Sequence, residues 1–447
     1  MNSTRDYLLV EILINRTKKL KIIETINELC QDICISNYFQ FKKISNSYSL
    51  IYPLTLREMS SNLNRRDWLK TSLFATAGIS AASSFISQAA ANPIVRQELQ
   101  HSLLQGFVLE HEYANVTPDK IMVRLGANEN PWGPSEKTKQ ALIGAIGDSN
   151  RYAFKMRGEL TKIIAEKEGV PESHVLLGAG SSELLTASLV AYGMKGKIMV
   201  GDPCYISAND DKVPMEKYPL TKDYQYDLEA ISSKINGSQS LVYITNPNNP
   251  TGAILPAAAL IDFINKVSDK IPVLVDEAYI DYAKDPKMES MIPLVKAGKE
   301  VLILRTMSKL YAFAGLRGGY AIAKPEILKK IQPYCSGGMD MSVPSFSAAI
   351  AALKDTDFQI LTLKNTEESK QYLYGFLTKM GYSYIPSHGN FVIFPLKMKG
   401  TDMLTKMASE GVMVRKWEFD RQHWCRVSIG TMDEMKAFTD AFSKITT

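Results

Sequence analysis

From Val175 onward the chain alternates between short, continuous apolar runs and stretches long enough for a helix. The runs are Val175–Leu177, Lys197–Val200, Leu241–Thr245, Val273–Asp276, Val301–Arg305 and Gly319–Ala323. Strands that are apolar at every position are buried on both faces, and strands separated by helices build βαβ units. The six runs therefore predict an α/β domain with a mostly parallel sheet between helices. After a long helical stretch, Val343–Met380, strands are expected at Tyr382–Ile385, Asn390–Pro395, Val412–Trp417 and Cys425–Ile429, then a last helix. These read as a smaller α+β C-terminal domain.

The first ninety residues follow a different pattern. Arg65 and Arg66 precede Trp68, Leu69 and Lys70; Thr71 to Val95 then carries no formal charge and contains Ala89, Ala90 and Ala91. A basic start, a mildly apolar middle and a small-residue end are the parts of a secretory signal. The arginine pair resembles the twin-arginine export signal of bacteria, which implies a periplasmic or exported protein. Ser, Thr, Gln and Gly interrupt the apolar stretch, so it makes a poor membrane span and no stable anchor is expected. Such a signal belongs at an N-terminus, so translation is expected to start at Met59, with residues 1–58 an over-extended start or an unstructured segment. The expected plan is a signal over 59–91, an N-terminal arm and part of the small domain over 92–150, a large domain over 151–345, and the C-terminal small domain over 346–447.

Charge changes its meaning once that segment is set apart. The 447 residues hold 52 Lys+Arg against 47 Asp+Glu, a formal charge of +5 that hints at a polyanionic partner. Eleven of the basic and seven of the acidic residues precede position 92, so the remaining 356 residues carry 41 and 40. No basic stripe is left, and nucleic acid is not an expected partner. Five scattered cysteines form neither a disulfide framework nor paired zinc ligands, so no metal site is expected.

In an open parallel sheet, ligands bind where the carboxyl ends of the strands and their loops converge. Four polar sequences fall there. Gly178-Ala179-Gly180-Ser181-Ser182-Glu183 follows the first run and opens a helix, so its amides and hydroxyls suit an anion at the positive end of the helix dipole. Asn246-Pro247-Asn248-Asn249-Pro250-Thr251-Gly252 follows the third run, Asp276-Glu277-Ala278-Tyr279 ends the fourth, and Ser308-Lys309 follows the fifth. Each has a plain explanation alone: a helix cap, a turn, a surface acid, a solvated lysine. Their occurrence in this order, at ends the fold brings together, points to one site.

With these residues in hand the chain resembles the fold-type I pyridoxal-phosphate enzymes of the class I/II aminotransferases, in particular the histidinol-phosphate aminotransferase group, from about Asn115 to the C-terminus. Ser308-Lys309 with Ala314-Gly315-Leu316-Arg317 carries the most specific match, and the 27-residue spacing from Asn249 to Asp276 agrees. Leu125-Gly126-Ala127-Asn128-Glu129-Asn130-Pro131-Trp132-Gly133-Pro134 resembles a substrate-contact motif of that group, which makes Asn128 a candidate substrate residue. The resemblance implies a seven-stranded large-domain sheet, pyridoxal 5'-phosphate as cofactor, an amino donor and a 2-oxo acid as substrates in a ping-pong cycle, and a homodimer. Lys309 would hold the cofactor's aldehyde and later move the substrate proton. Asp276 would face the pyridine nitrogen, Asn249 and Tyr279 the ring oxygen, and Tyr205 the ring face. Gly180, Ser181, Ser182, Ser308 and Arg317 would hold the phosphate, joined across the dimer by Tyr152.

On the substrate side, Arg426 resembles the arginine that clamps the α-carboxylate, and Arg415 a second arginine that helps bind a substrate phosphate. The segment Lys416 to Trp424, with Trp417, Phe419 and Trp424, departs from the small Gly-containing loop of the group. It suits either an aromatic pocket or packing between domains. Two rival functions remain at this point: a decarboxylase like the threonine-phosphate decarboxylases, and a cofactor-binding regulator. Histidine biosynthesis is cytoplasmic, so the export signal and the group's usual substrate pull in different directions.

Overall fold

A computed structural model describes residues 122–206 and 213–446. The expected signal and the segment before it lie outside the described residues.

Seven strands form the main sheet: β2 (Val175–Gly178), β3 (Lys197–Asp202), β4 (Met215–Pro219), β5 (Gln239–Thr245), β6 (Val273–Asp276), β7 (Val301–Thr306) and β8 (Gly319–Ala323). Their order is β2-β8-β7-β6-β5-β3-β4. Neighbours from β7 to β4 are parallel, whereas β8 runs antiparallel to both β2 and β7. All of Val273, Leu274, Val275 and Asp276 are buried, as continuous apolar patterning requires of a strand covered on both faces. Sequence pattern missed β4, because Met-Glu-Lys-Tyr-Pro mixes polar and apolar residues on a half-exposed edge.

The C-terminal region has its own core, which includes Leu373, Leu377, Phe394, Met403, Val427, Phe438 and Phe442. It is built on β9 (Phe391–Pro395), β11 (Arg415–Phe419) and β12 (Gln422–Ser428) in the antiparallel order β11-β12-β9. A separate pair joins β1 (Val123–Arg124) to β10 (Val412–Met413) in parallel.

Two expectations need correction here. The strand at Tyr382–Ile385 is only a single bridge from Ile385 to Ile393. Its start is used to end the preceding helix: Gly381 takes φ +70, and the Tyr382 amide bonds the Leu377 carbonyl at 2.9 Å. Pro386 then offers no N–H for further pairing. The run Val412–Trp417 is two strands, since the chain leaves β1 at Met413 and joins β12 at Arg415. The helical stretch Val343–Met380 is borne out as two helices, Val343–Lys354 and Thr356–Lys379, divided at buried Asp355, whose carboxylate Lys137 meets at 2.9 Å.

The aromatic segment is a hairpin. Asp420 and Arg421 both take positive φ, 53° and 57°, as a two-residue turn between twisted strands demands. Phe419 stacks on Trp424 at 4.6 Å and 7°, and Tyr224 meets Trp424 edge-on at 5.4 Å. Trp424 is buried with Ile385 and Ile393. Of the two readings, packing accounts for Phe419 and Trp424.

Candidate active site

The carboxyl ends of β5, β6 and β7 deliver Asn249, Asp276 and Lys309 to one place. Asp276 is the last residue of β6, and its carboxylate accepts the Ala278 amide at 3.1 Å. Burial pushes its carboxyl up to about 7; that amide opposes the shift, neighbouring Glu277 adds to it, and Lys309 and the Tyr243 hydroxyl oppose it. Lys309 donates to the carbonyls of Ala127 at 3.2 Å and Asn128 at 3.0 Å. Burial brings its amine down to about 8, and the positive charges of Arg426 and Arg317 contribute. A nucleophile or proton acceptor needs that change, because an ammonium ion can act as neither.

Tyr279 sits between two amides. Its hydroxyl accepts from Asn128 at 2.9 Å and from Asn249 at 3.4 Å, and burial holds its pKa up at about 12. With both lone pairs engaged, the remaining capacity of this oxygen is to donate its proton, which suits an anionic ring oxygen. Phe391 packs edge-on against the Tyr279 ring at 5.0 Å.

An anion cradle lies at the start of helix Ser181–Gly193. Gly180 caps that helix at φ +89, and a Cβ at this position would collide with the Arg317 guanidinium. Only glycine allows both the turn and the close approach. Arg317 is held by a bond from its Nη1 to the Ala314 carbonyl at 3.0 Å. A Cβ at Gly319 would strike the backbone of Gly180 and Ser181, so the start of β8 seats the helix terminus. Ser182 Oγ lies 3.5 Å from the Tyr205 hydroxyl, while Tyr243 donates to the Tyr205 carbonyl at 2.9 Å. Ser181 and Ser308 are buried. Helix-start amides, three serines and a guanidinium form a donor set for a phosphate.

The opposite wall comes from distant parts of the chain. Arg426 donates from Nη1 to Asn249 Oδ1 at 2.6 Å and from Nη2 to the Gly126 carbonyl at 2.7 Å, and its guanidinium lies 5.5 Å from the Phe391 ring centre. Arg415 is the direct antiparallel partner of Arg426, so both side chains leave the same face of the sheet. Asn128, at φ +53, bonds Ser428 twice: its amide donates to Oγ at 2.7 Å, and that hydroxyl donates to Oδ1 at 3.1 Å. Asn390 supports the same strap through the carbonyls of Asn128 at 3.1 Å and Glu129 at 3.3 Å.

Of the candidates, Tyr152 is not drawn into this cluster; it is 77% exposed and packs on exposed Phe154. Sequence reasoning missed Asn390, Phe391 and Ser428, which position others. Ser428 had a signal, two residues after Arg426 on the same strand face.

Residues 120–442 match the family model for aminotransferase class I and II. This chain belongs to that family. It is 34% identical over 335 residues to histidinol-phosphate aminotransferase 1 of Cupriavidus pinatubonensis, covering 72% of this chain and 88% of the relative. The histidinol-phosphate aminotransferase of Moorella thermoacetica is 32% identical over 348 residues, with 73% and 86% covered. Among solved structures, histidinol-phosphate aminotransferase from Sinorhizobium meliloti in complex with pyridoxal-5'-phosphate shares the fold at a TM-score of 0.68, with 24% identity and coverage of 76% and 94%. The family match favours transamination over the decarboxylase and regulator readings.

Proposed function

We propose that this aminotransferase holds pyridoxal 5'-phosphate at Lys309 and takes its amino group from a donor with an anionic distal group. Histidinol phosphate, the compound in the names of the curated relatives, is the donor we assign, with a 2-oxo acid as acceptor. The carrying observation is a half-buried lysine whose amine is brought down to about 8, a buried aspartate beside it, and two arginines paired on one sheet face.

When bound, pyridoxal 5'-phosphate supplies an aldehyde for an amine and a ring that accepts electron density from the carbon losing its proton. Lys309 would provide the amine that holds the aldehyde and, when free, would move the proton between the two carbon atoms involved in the transfer. Asp276 would keep the proton at the ring nitrogen, Tyr279 and Asn249 would hold the ring oxygen, and Tyr205 would cover the ring. Gly180, Ser181, Ser182, Ser308 and Arg317 bind the phosphate. Asn128 lines the substrate side. Arg426 and Arg415 bind the substrate's anionic group, as two guanidiniums on one face suit a dianion.

The same reading includes a homodimer in which Tyr152 reaches the partner's phosphate site, supported by the exposure of Tyr152 and Phe154. It also includes export of the folded protein, supported by the Arg65-Arg66 signal over 59–91. Size-exclusion chromatography with light scattering tests the first, and a reporter fused after Ala91 tests the second; a monomer or a cytoplasmic reporter removes the respective part.

The donor is tested by supplying the cofactor-loaded full chain with histidinol phosphate, histidinol or aromatic amino acids and following consumption of 2-oxoglutarate. Histidinol phosphate should be used best. Preference for unphosphorylated histidinol would contradict the assignment, and carbon dioxide release without oxo-acid consumption would restore the decarboxylase.

A further inference from the structure

Behind Asp276 lies a second buried carboxylate that the catalytic cycle does not use. Glu277 is 1% exposed. Its Oε2 accepts from Arg305 Nε at 2.8 Å and from Ser290 Oγ at 2.8 Å, and its Oε1 accepts from the Met291 amide at 2.7 Å. Arg305 Nη2 also reaches Ser290 Oγ at 3.1 Å, and Nη1 lies 3.8 Å from Asp281. The backbone repeats the connection, since the Glu277 amide donates to the Leu304 carbonyl at 2.9 Å. The end of β6, which carries Asp276, is thus tied to the end of β7, four residues before Lys309.

Charge gives the pair a second consequence. Two carboxylates adjacent in sequence and both buried disfavour each other's ionised form unless a cation lies between them and the rest of the interior. Arg305 is that cation for Glu277. The charged and titratable groups around the pair are Asp281, Glu168, Tyr311 and Tyr320, with Lys167 beyond Glu168; those facing Asp276 are Lys309, Tyr243 and Tyr279. An ion pair this deep is seldom the most stabilising filling for its volume, so a specific task is a reasonable ground for it.

We propose that Arg305 and Glu277 are positioning residues for the cofactor site: the pair sets the β6–β7 spacing that aligns Asp276 with Lys309, and its balanced charge sets the field at the cofactor's ring. This rests on the reading that Asp276 faces the ring nitrogen.

The test is a pH titration of the visible absorbance of bound pyridoxal 5'-phosphate in the full-length protein. Glu277→Gln removes a negative charge and should move the midpoint to lower pH; Arg305→Met removes a positive charge and should move it to higher pH. For buried charges at this range we expect shifts of about half a unit or more. The double variant, neutral at both positions, should return towards the parent value. A purely structural pair would lower the melting temperature in all three variants and move the midpoints together or leave them unmoved, and either result overturns the proposal. If Arg305→Met does not fold, Glu277→Gln decides alone, because the amide keeps the shape and the Ser290 contact; an unmoved midpoint there is sufficient to reject the proposal. Failure of the underlying site reading looks different: the parent would show no lysine-bound cofactor band, or Lys309→Ala would keep it.

Discussion

The two walls of the cleft are made in different ways. On the proposed cofactor side, the groups sit at the ends of sheet strands or in the loops and helix starts that follow them, and several contacts are local, such as Asp276 with Ala278 and Arg317 with Ala314, although Lys309 and Tyr279 also reach Ala127 and Asn128. On the substrate side, Asn128 is held by Ser428 and Gly126 by Arg426, partners 300 residues apart. The first wall is a property of the sheet. The second exists only when the N-terminal strap, the small-domain strands and the Asn249 loop are packed together. Changes to the first wall should therefore act on cofactor retention and chemistry, and changes to the second on substrate choice.

Lys309→Ala should break the contrast most severely. Cofactor absorbance characteristic of a lysine attachment should vanish, and turnover should fall by at least the roughly 10²–10⁴-fold assigned to a positioned proton carrier. A variant with parental turnover removes Lys309 from the chemistry. Arg426→Gln comes next. Losing a charge-assisted bond of about 1.5–3 kcal/mol should lower kcat/KM by about 10- to 100-fold while cofactor affinity stays near the parent's. Equal loss of cofactor binding would show that the two walls are not separable.

Arg415→Gln is the finer probe of the same wall. It should cost phosphorylated donors about tenfold and leave unphosphorylated donors nearly unchanged, because only the former need a second guanidinium. Uniform loss across donors would reduce Arg415 to a strand residue.

Smallest in its effect on activity is the pH dependence of apoprotein stability. Folded Asp276, at about 7 against 3.8, keeps a proton that the unfolded chain has released, so its share of stability falls as pH rises between those values. Lys309, at about 8 against 10.5, has released a proton that the unfolded chain still holds, so its share rises with pH over that window. Chemical denaturation at several pH values should show both slopes flattened in Asp276→Asn and Lys309→Met respectively.

The same contrast explains what could be read in the chain beforehand. Continuous apolar runs such as Val273–Val275 announce buried parallel strands, and the polar residues that follow them announce a site, because both signals are local. The edge strand Met215–Pro219 was illegible, since one exposed side dilutes its pattern. Val412–Trp417 reads as one strand because nothing local marks the change of partner from β1 to β12. Asn390 and Phe391 escaped for a related reason. Their work is to hold Asn128, Tyr279 and Arg426, and a supporting contact between segments remote in sequence leaves no motif.

One measurement addresses the central claim directly: reduction of the cofactor-loaded protein with borohydride, proteolysis, and mass spectrometry of the labelled peptide. The pyridoxyl phosphate label should fall on Lys309. A label on any other lysine, or none, would contradict the account.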